Sequence, residues 1–166
     1  MFCSKYHALG NDYIVVHPNQ IAALTAVFPT AVSIQRICHA HYGLGSDGIL
    51  FGPLPSKTCD FALRIFNPDG SEAEKSGNGL RIFSRYLYDR GLVGTAPFTL
   101  ETLGGNVTVC VERPDLIHIE MGKIRLDAPE TLAINGRFFP INPANIDNPH
   151  CVILQDEISM AETIAW

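Results

Sequence analysis

The sequence predicts an α+β chain in which many short strands surround one buried helix. Three observations carry that prediction. Short apolar or alternating runs bounded by Gly, Pro, Asn and Asp recur along the chain, the pattern of strands and tight turns. Only two stretches show helical spacing. One of these, around Leu80-Phe83-Tyr86-Leu87, is apolar on much of its circumference once Ile82 is included, which marks a helix buried in the middle of a domain.

Taken in order, alternation from Phe2 to Tyr6 and the apolar run Tyr13 to Val16 predict two strands, separated by a polar break at Ala8 to Asp12. Pro29 and Thr30 precede Ile34, Ile37, Cys38 and His41, spaced as on a helix. Thr30 or Ser33 would cap it, and Gly43 and Gly45 would end it. Strands follow at Gly48 to Phe51 and Phe61 to Phe66, then the polar turn Asn67 to Ser71. The buried helix comes next and ends near Arg90-Gly91. From Pro97 the pattern is β: Phe98 to Thr102, Val107 to Glu112 and Leu116 to Met121. Asn135-Gly136 between Leu132-Ala133-Ile134 and Phe138-Phe139 signals a tight hairpin. His150 to Leu154 reads as another strand, and Met160 to Trp166 begins like a helix.

The chain has 166 residues, 46% hydrophobic and 17% charged, so it can bury a core. Its formal charge of −5 is spread along the sequence, which excludes the basic stripe of a nucleic-acid binder. No apolar run reaches the roughly 18 residues of a membrane helix, and the amino terminus lacks the order of a signal peptide. The expected location is the cytoplasm. Five widely spaced cysteines (Cys3, Cys38, Cys59, Cys110 and Cys151) argue against a disulfide framework and read as buried thiols. Cys38, His39 and His41 lack a fourth partner for a metal site, and none is expected.

The densest functional signal is the run Asn67 to Arg81, Asn-Pro-Asp-Gly-Ser-Glu-Ala-Glu-Lys-Ser-Gly-Asn-Gly-Leu-Arg. A glycine turn here feeds the amino terminus of the buried helix. The first amides of a helix have no intrahelical acceptor, and the helix dipole adds positive potential, so this place can cradle a carboxylate or phosphate. Ser76 stands just before the cradle. It either caps the helix or faces whatever the amides hold.

The whole string resembles the signature of the diaminopimelate epimerase family, with Ser76 where the family keeps a catalytic cysteine. His7 to Tyr13, Gly43 to Gly48 and Asn148-Pro149-His150-Cys151-Val152 resemble three further motifs of that family in the same order. The resemblance implies a curled, mostly antiparallel sheet wrapped around a central helix. Members have two similar halves with the active site between them. Residues 1–122 would be the N-terminal epimerase domain, and residues 123–166 the beginning of a second, similar domain that is truncated.

The activity implied is conversion of LL-diaminopimelate to its meso form by two-base proton transfer, a step of lysine and peptidoglycan precursor biosynthesis, with no cofactor and no metal. The implied partner is a small amino-acid substrate, with no nucleic acid and no membrane. Family members are commonly dimers, which leaves a homodimer open. Ser76 would take the place of one acid/base, Gly77 and Asn78 would hold the α-carboxylate, and Asn11, Asn67 and Asn148 would bind substrate amino and carboxyl groups. His150 would tune the residue at position 76, and Arg81 would support the helix. A hydroxyl is a far weaker acid than a thiol, so Ser76 and the short second half predict impaired activity. Two alternatives stand beside this reading: a related isomerase or racemase with serine at the acid/base position, and a non-catalytic fragment.

Overall fold

The computed structural model describes residues 3–21 and 29–154, so the expected helix at Met160 to Trp166 lies outside the described residues. The chain divides into two compact units, Met1–Met121 and Gly122–Trp166.

In the first unit, strands β1 (Ser4–Ala8) and β2 (Asn11–Val16) form a hairpin. The break between them is shorter than the sequence suggested. It is two residues, Leu9 and Gly10, both with positive φ (54° and 88°), as the tightest hairpin turn demands. Asn11 and Asp12 already belong to β2.

Helix α1 (Ala31–Cys38) follows, capped by Thr30 with Ser33 returning the bond. It stops at Cys38 rather than at the glycines. His39 leaves helical geometry (ψ 124°), and its Nδ1 accepts the amides of His41 and Tyr42. This side-chain turn offers the backbone an alternative to the next helical bonds. His41 therefore lies off the helix.

Strands β3 (Ile49–Leu54), β4 (Phe61–Phe66) and the two-residue β5 (Glu72–Ala73) lead into α2 (Gly77–Asp89). Beyond it come β6 (Phe98–Thr102), β7 (Gly105–Arg113) and β8 (Leu116–Glu120). The eight strands form one sheet in the order β1-β2-β3-β4-β6-β7-β8, with β5 also on β4. Only the β2/β3 and β4/β6 pairs are parallel.

The sheet curls, because the strands at its two ends, β1 and β8, pack on the same helix, α2. Tyr6 of β1 meets Tyr86 edge-on with ring centroids 6.2 Å apart, and Arg85 donates to the Pro114 carbonyl in the β7–β8 turn at 2.7 Å. Between the two edges lies a groove of about 590 Å³ lined by Tyr6, Ala8, Arg81, Ile82, Arg85 and Ile117 among others.

β2 shows why its sequence is an unbroken apolar run. Tyr13 and Val15 face the cluster built on Leu80, Phe83 and Leu87 of α2, whereas Ile14 and Val16 face Ile34 and Cys38 of α1. A strand covered on both faces has no polar side to show.

The second unit carries β9 (Arg125–Leu126), β10 (Glu130–Ile134), β11 (Arg137–Asn145) and β12 (Pro149–Val152). Asn135 and Gly136 (φ 50° and 76°) make the hairpin turn the sequence announced. β11 runs further than the sequence suggests, through Pro140 and Pro143. Pro140 faces Thr131 of β10 in the register one pair from the hydrogen-bonded Leu132/Phe139 step, so its missing N–H costs that ladder nothing. Exposed Leu126, Phe138 and Leu154 give this unit an apolar surface.

The cysteines are all free, but only Cys38 is buried and Cys151 is exposed, which corrects the expectation of five buried thiols. Burial above all, with Asp12 and Asp47 nearby, pushes the Cys38 thiol up to about 11. No helix among the described residues is long and apolar enough to cross a membrane.

Candidate active site

The amino terminus of α2 is built by its own sequence. Ser76 is extended (φ −139°, ψ 115°), and its Oγ accepts the Gly79 amide at 3.0 Å. The Leu80 amide reaches the Ser76 carbonyl at 2.8 Å. The amides of Gly77 and Asn78 are left with no protein acceptor among the described residues, a pair of donors that a helix terminus can offer to an anion. The capping role of Ser76 and the open cradle thus coexist.

Two glycines make the geometry possible. A Cβ on Gly79 would lie 3.1 Å from Leu50 Cδ2 and 3.2 Å from Ser76 Oγ, so this position admits nothing larger without displacing the cap. Gly77 keeps the approach to its amide open, its one close neighbour being the Arg81 guanidinium. Arg81 donates to the Gly77 carbonyl at 3.1 Å, the supporting role expected of it. Lys75, just before the cap, turns into the interior and donates to the Met121 carbonyl.

Asn11 comes to the same place from β2. Asn78 Nδ2 donates to Asn11 Oδ1 at 3.3 Å, and Asn11 Nδ2 donates to Asp47 Oδ2 at 3.0 Å. The turn that Gly43 to Gly48 makes is fixed from below. Asp12 and Asp47 exchange amide-to-carboxylate bonds (2.9 and 3.1 Å), Ser46 donates to the Gly48 carbonyl at 2.7 Å, and Lys5 pairs with Asp12 at 2.9 Å. Partial burial pushes the Asp12 carboxyl up, but the bonds from Lys5 and the Asp47 amide outweigh it and hold the group below its ordinary value.

Asn67 follows β4 and is held in its own turn, its amide bonding the Ser71 carbonyl and its Nδ2 the Ser71 hydroxyl. The structure therefore brings Asn11, Ser76, Gly77 and Asn78 together in the first unit. Asn148 and His150 belong to the second unit. There Asn148 accepts the Ile146 amide at its backbone carbonyl, and the exposed His150 pairs in register with Ala144.

Sequence reasoning missed one residue. Tyr13 is 6% exposed, and its hydroxyl lies 3.2 Å from Ser76 Oγ. It stands at the end of the opening motif, but nothing in a linear sequence pairs positions 63 apart.

The comparisons with known proteins bear on the family and the fold. The diaminopimelate epimerase family matches residues 3–126. Diaminopimelate epimerase 2 of Nostoc sp. is 51% identical across 93% of this chain and 58% of its own length. The diaminopimelate epimerase of Pelotomaculum thermopropionicum is 35% identical across 95% of this chain and 61% of its own. The chain thus spans about three fifths of the length of the curated relatives it matches. Two solved structures share the fold. A hydroxyproline epimerase from Agrobacterium vitis superposes with a TM-score of 0.64 over 86% of this chain and 48% of that one, at 15% identity. A phenazine biosynthesis protein of the PhzF family from Bacillus anthracis gives 0.52 over 91% and 53%, at 22% identity. With the curled sheet, the central helix and its cradle in place, the chain belongs to the diaminopimelate epimerase family.

Proposed function

We propose that this chain supplies the carboxylate-holding half of a cytoplasmic diaminopimelate epimerase and that Ser76 limits its proton transfer. The observation that carries the reading is the pair of open amides, Gly77 and Asn78, at the start of a buried helix in a member of this family. A substrate α-carboxylate placed there would have its developing negative charge opposed by two N–H dipoles and the helix terminus. Asn11 and Asn67 would contribute polar contacts from the first unit, and Asn148 and His150 from the second, with His150 acting on the residue at position 76.

Inversion needs a base on one face of the α-carbon and an acid on the other. A thiol ionises near neutral pH at modest cost, particularly at a helix amino terminus. An aliphatic hydroxyl does not. Ser76 is therefore suited to hydrogen-bonding the substrate and poorly suited to removing its α-proton.

Incorporation of solvent deuterium at the α-carbon of diaminopimelate, followed by mass spectrometry, tests this. The wild-type chain should exchange close to the uncatalysed rate. Ser76→Cys, carried on a chain of the relatives' full length, should exchange at least about tenfold faster than its serine counterpart. Rapid exchange by the wild-type chain would refute the limiting role of Ser76.

A further inference from the structure

The Ser76 hydroxyl has two neighbours that occupy it differently. The Gly79 amide donates to Oγ at 3.0 Å from within the helix. The Tyr13 hydroxyl approaches the same oxygen to 3.2 Å from β2. Tyr13 is held there by space as well as by bonding. A Cβ on Gly48 would fall 2.6 Å from the Tyr13 ring, so the ring occupies the volume that the missing side chain leaves. Tyr13 is buried, and among the described residues its hydroxyl bonds only to Ser76 Oγ, so any effect on a ligand would pass through that serine.

A phenol is the stronger acid of the two hydroxyls, and an aliphatic hydroxyl oxygen the better acceptor. The favoured arrangement has Tyr13 O–H donating to Ser76 Oγ. A serine hydroxyl has two acceptor lone pairs and one proton to give. With Gly79 N–H and Tyr13 O–H on the lone pairs, only the proton remains, and it is left for the open side beside the Gly77 and Asn78 amides.

We propose that Tyr13 is a positioning residue that sets Ser76 as a hydrogen-bond donor to the substrate carboxylate. The inference rests on the reading that a carboxylate docks at Gly77 and Asn78, and it deepens that reading. The cradle gains a third donor, and Ser76 Oγ keeps no free lone pair with which to accept an α-proton. The pair of hydroxyls thus holds the ligand and withholds the base.

Two NMR measurements on the isotopically labelled chain test it. The first needs no ligand. The Tyr13 hydroxyl proton, assigned by its loss in Tyr13→Phe, should exchange slowly with water and show a nuclear Overhauser contact to the Ser76 methylene. In Ser76→Ala its exchange should quicken by about tenfold, as expected when a buried donor loses its acceptor. Equal exchange in the two proteins would overturn the proposal.

The second follows the Gly77 and Asn78 amides as acetate is added. Tyr13→Phe, which keeps the ring, should weaken acetate binding roughly threefold to tenfold, the span of one modest hydrogen bond. In the Ser76→Ala background the same substitution should change nothing, because its effect passes through the serine. Equal weakening in both backgrounds would assign Tyr13 a merely structural role and overturn the proposal. Amides that do not respond to acetate at all would overturn the carboxylate docking and the donor role with it. A slow Tyr13 hydroxyl proton in that same sample would trace the failure to the docking reading.

Discussion

At the start of α1, Thr30 accepts the Ser33 amide at 3.2 Å, and the Ser33 hydroxyl accepts the Thr30 amide at 3.0 Å. At the start of α2, Ser76 accepts the Gly79 amide at 3.0 Å, and Gly79 has no side chain with which to answer. The first cap closes on itself within four residues. The second is completed from another part of the sheet by Tyr13. The helices that follow differ in the same sense. α1 opens with exposed Ala31 and Val32, and α2 opens with Gly77-Asn78-Gly79 and buries seven of its residues, Gly79 among them. Both caps leave the first two amides of their helix without a protein acceptor among the described residues, but in α1 these belong to Ala31 and Val32 and in α2 to Gly77 and Asn78, where a glycine keeps the approach clear. A cap backed by glycine leaves the terminus accessible and depends on the tertiary structure for its second partner.

The largest expected difference between the two helices lies in their cores. Phe83 of α2 is fully buried, so Phe83→Ala should cost about 3–5 kcal/mol in urea unfolding. Val32→Ala on the exposed face of α1 should stay within about 0.5 kcal/mol. Similar losses at both positions would mean that α2 is not the centre of the first unit.

A smaller effect is expected at Gly79. Alanine normally favours a helix, but here its methyl would press on Leu50, which is fully buried and cannot yield, and on the Ser76 cap. Gly79→Ala should therefore destabilise by about 1–3 kcal/mol rather than stabilise, with the Ser76–Gly79 bond lost. An increase in Tm for this variant would show that the start of α2 is less crowded than described.

Below that come the caps themselves. Thr30→Ala and Ser76→Ala should each cost about 1 kcal/mol by chemical denaturation. Tyr13→Phe should alter the energy of the Ser76 substitution in a double-mutant cycle and leave that of Thr30 unchanged. Coupling of Tyr13 to both caps would erase the contrast between them.

The mildest effect is the response to acid. Asp12 is held below its ordinary value of 3.8 because Lys5 and the Asp47 amide outweigh its partial burial. Asp60 is lowered by the Thr99 amide and Asp69 by the Ser71 hydroxyl. A carboxyl lowered in the folded state contributes its stability fully above the unfolded value and loses it as pH falls through the folded value. Tm should hold level down to about pH 4 and decline below it, and less steeply in Asp60→Asn, whose carboxyl no longer titrates. Asp12 braces the turn beneath Asn11, and Asp69 sits in the turn whose Gly70 packs against Ala31 at the start of α1, so acid should loosen both helix starts together. A decline that begins well above pH 4 would point to other groups.

Much of this architecture was legible in the order of residues. Leu80, Phe83 and Leu87 marked a central helix because helical spacing and all-round apolarity leave no solvent face. Asn135-Gly136 marked a hairpin because positive φ is cheap for those residues. A cap at Thr30 or Ser33, and capping as one role of Ser76, were legible because a hydroxyl bonds an amide three residues on, which is a local matter; the structure selects Thr30. The end of α1 was not legible, since it turns on His39 bonding two amides ahead of it rather than on the glycines. Nor was the length of β11, where Pro140 is tolerated only because the register spares its missing donor.

By itself, then, the sequence determined many short strands around one buried helix and the open start of that helix, which follow from short-range patterning, while four ordered motifs carried the resemblance that named the family and its curled sheet. The partners of those elements were decided only in three dimensions. That Tyr13 backs Ser76, that Asn11 meets Asn78, and that Gly48 makes room for an aromatic ring depend on strands whose neighbours are distant in the chain. Sheet pairing and close packing set those contacts, and they act on shape and register rather than on sequence order.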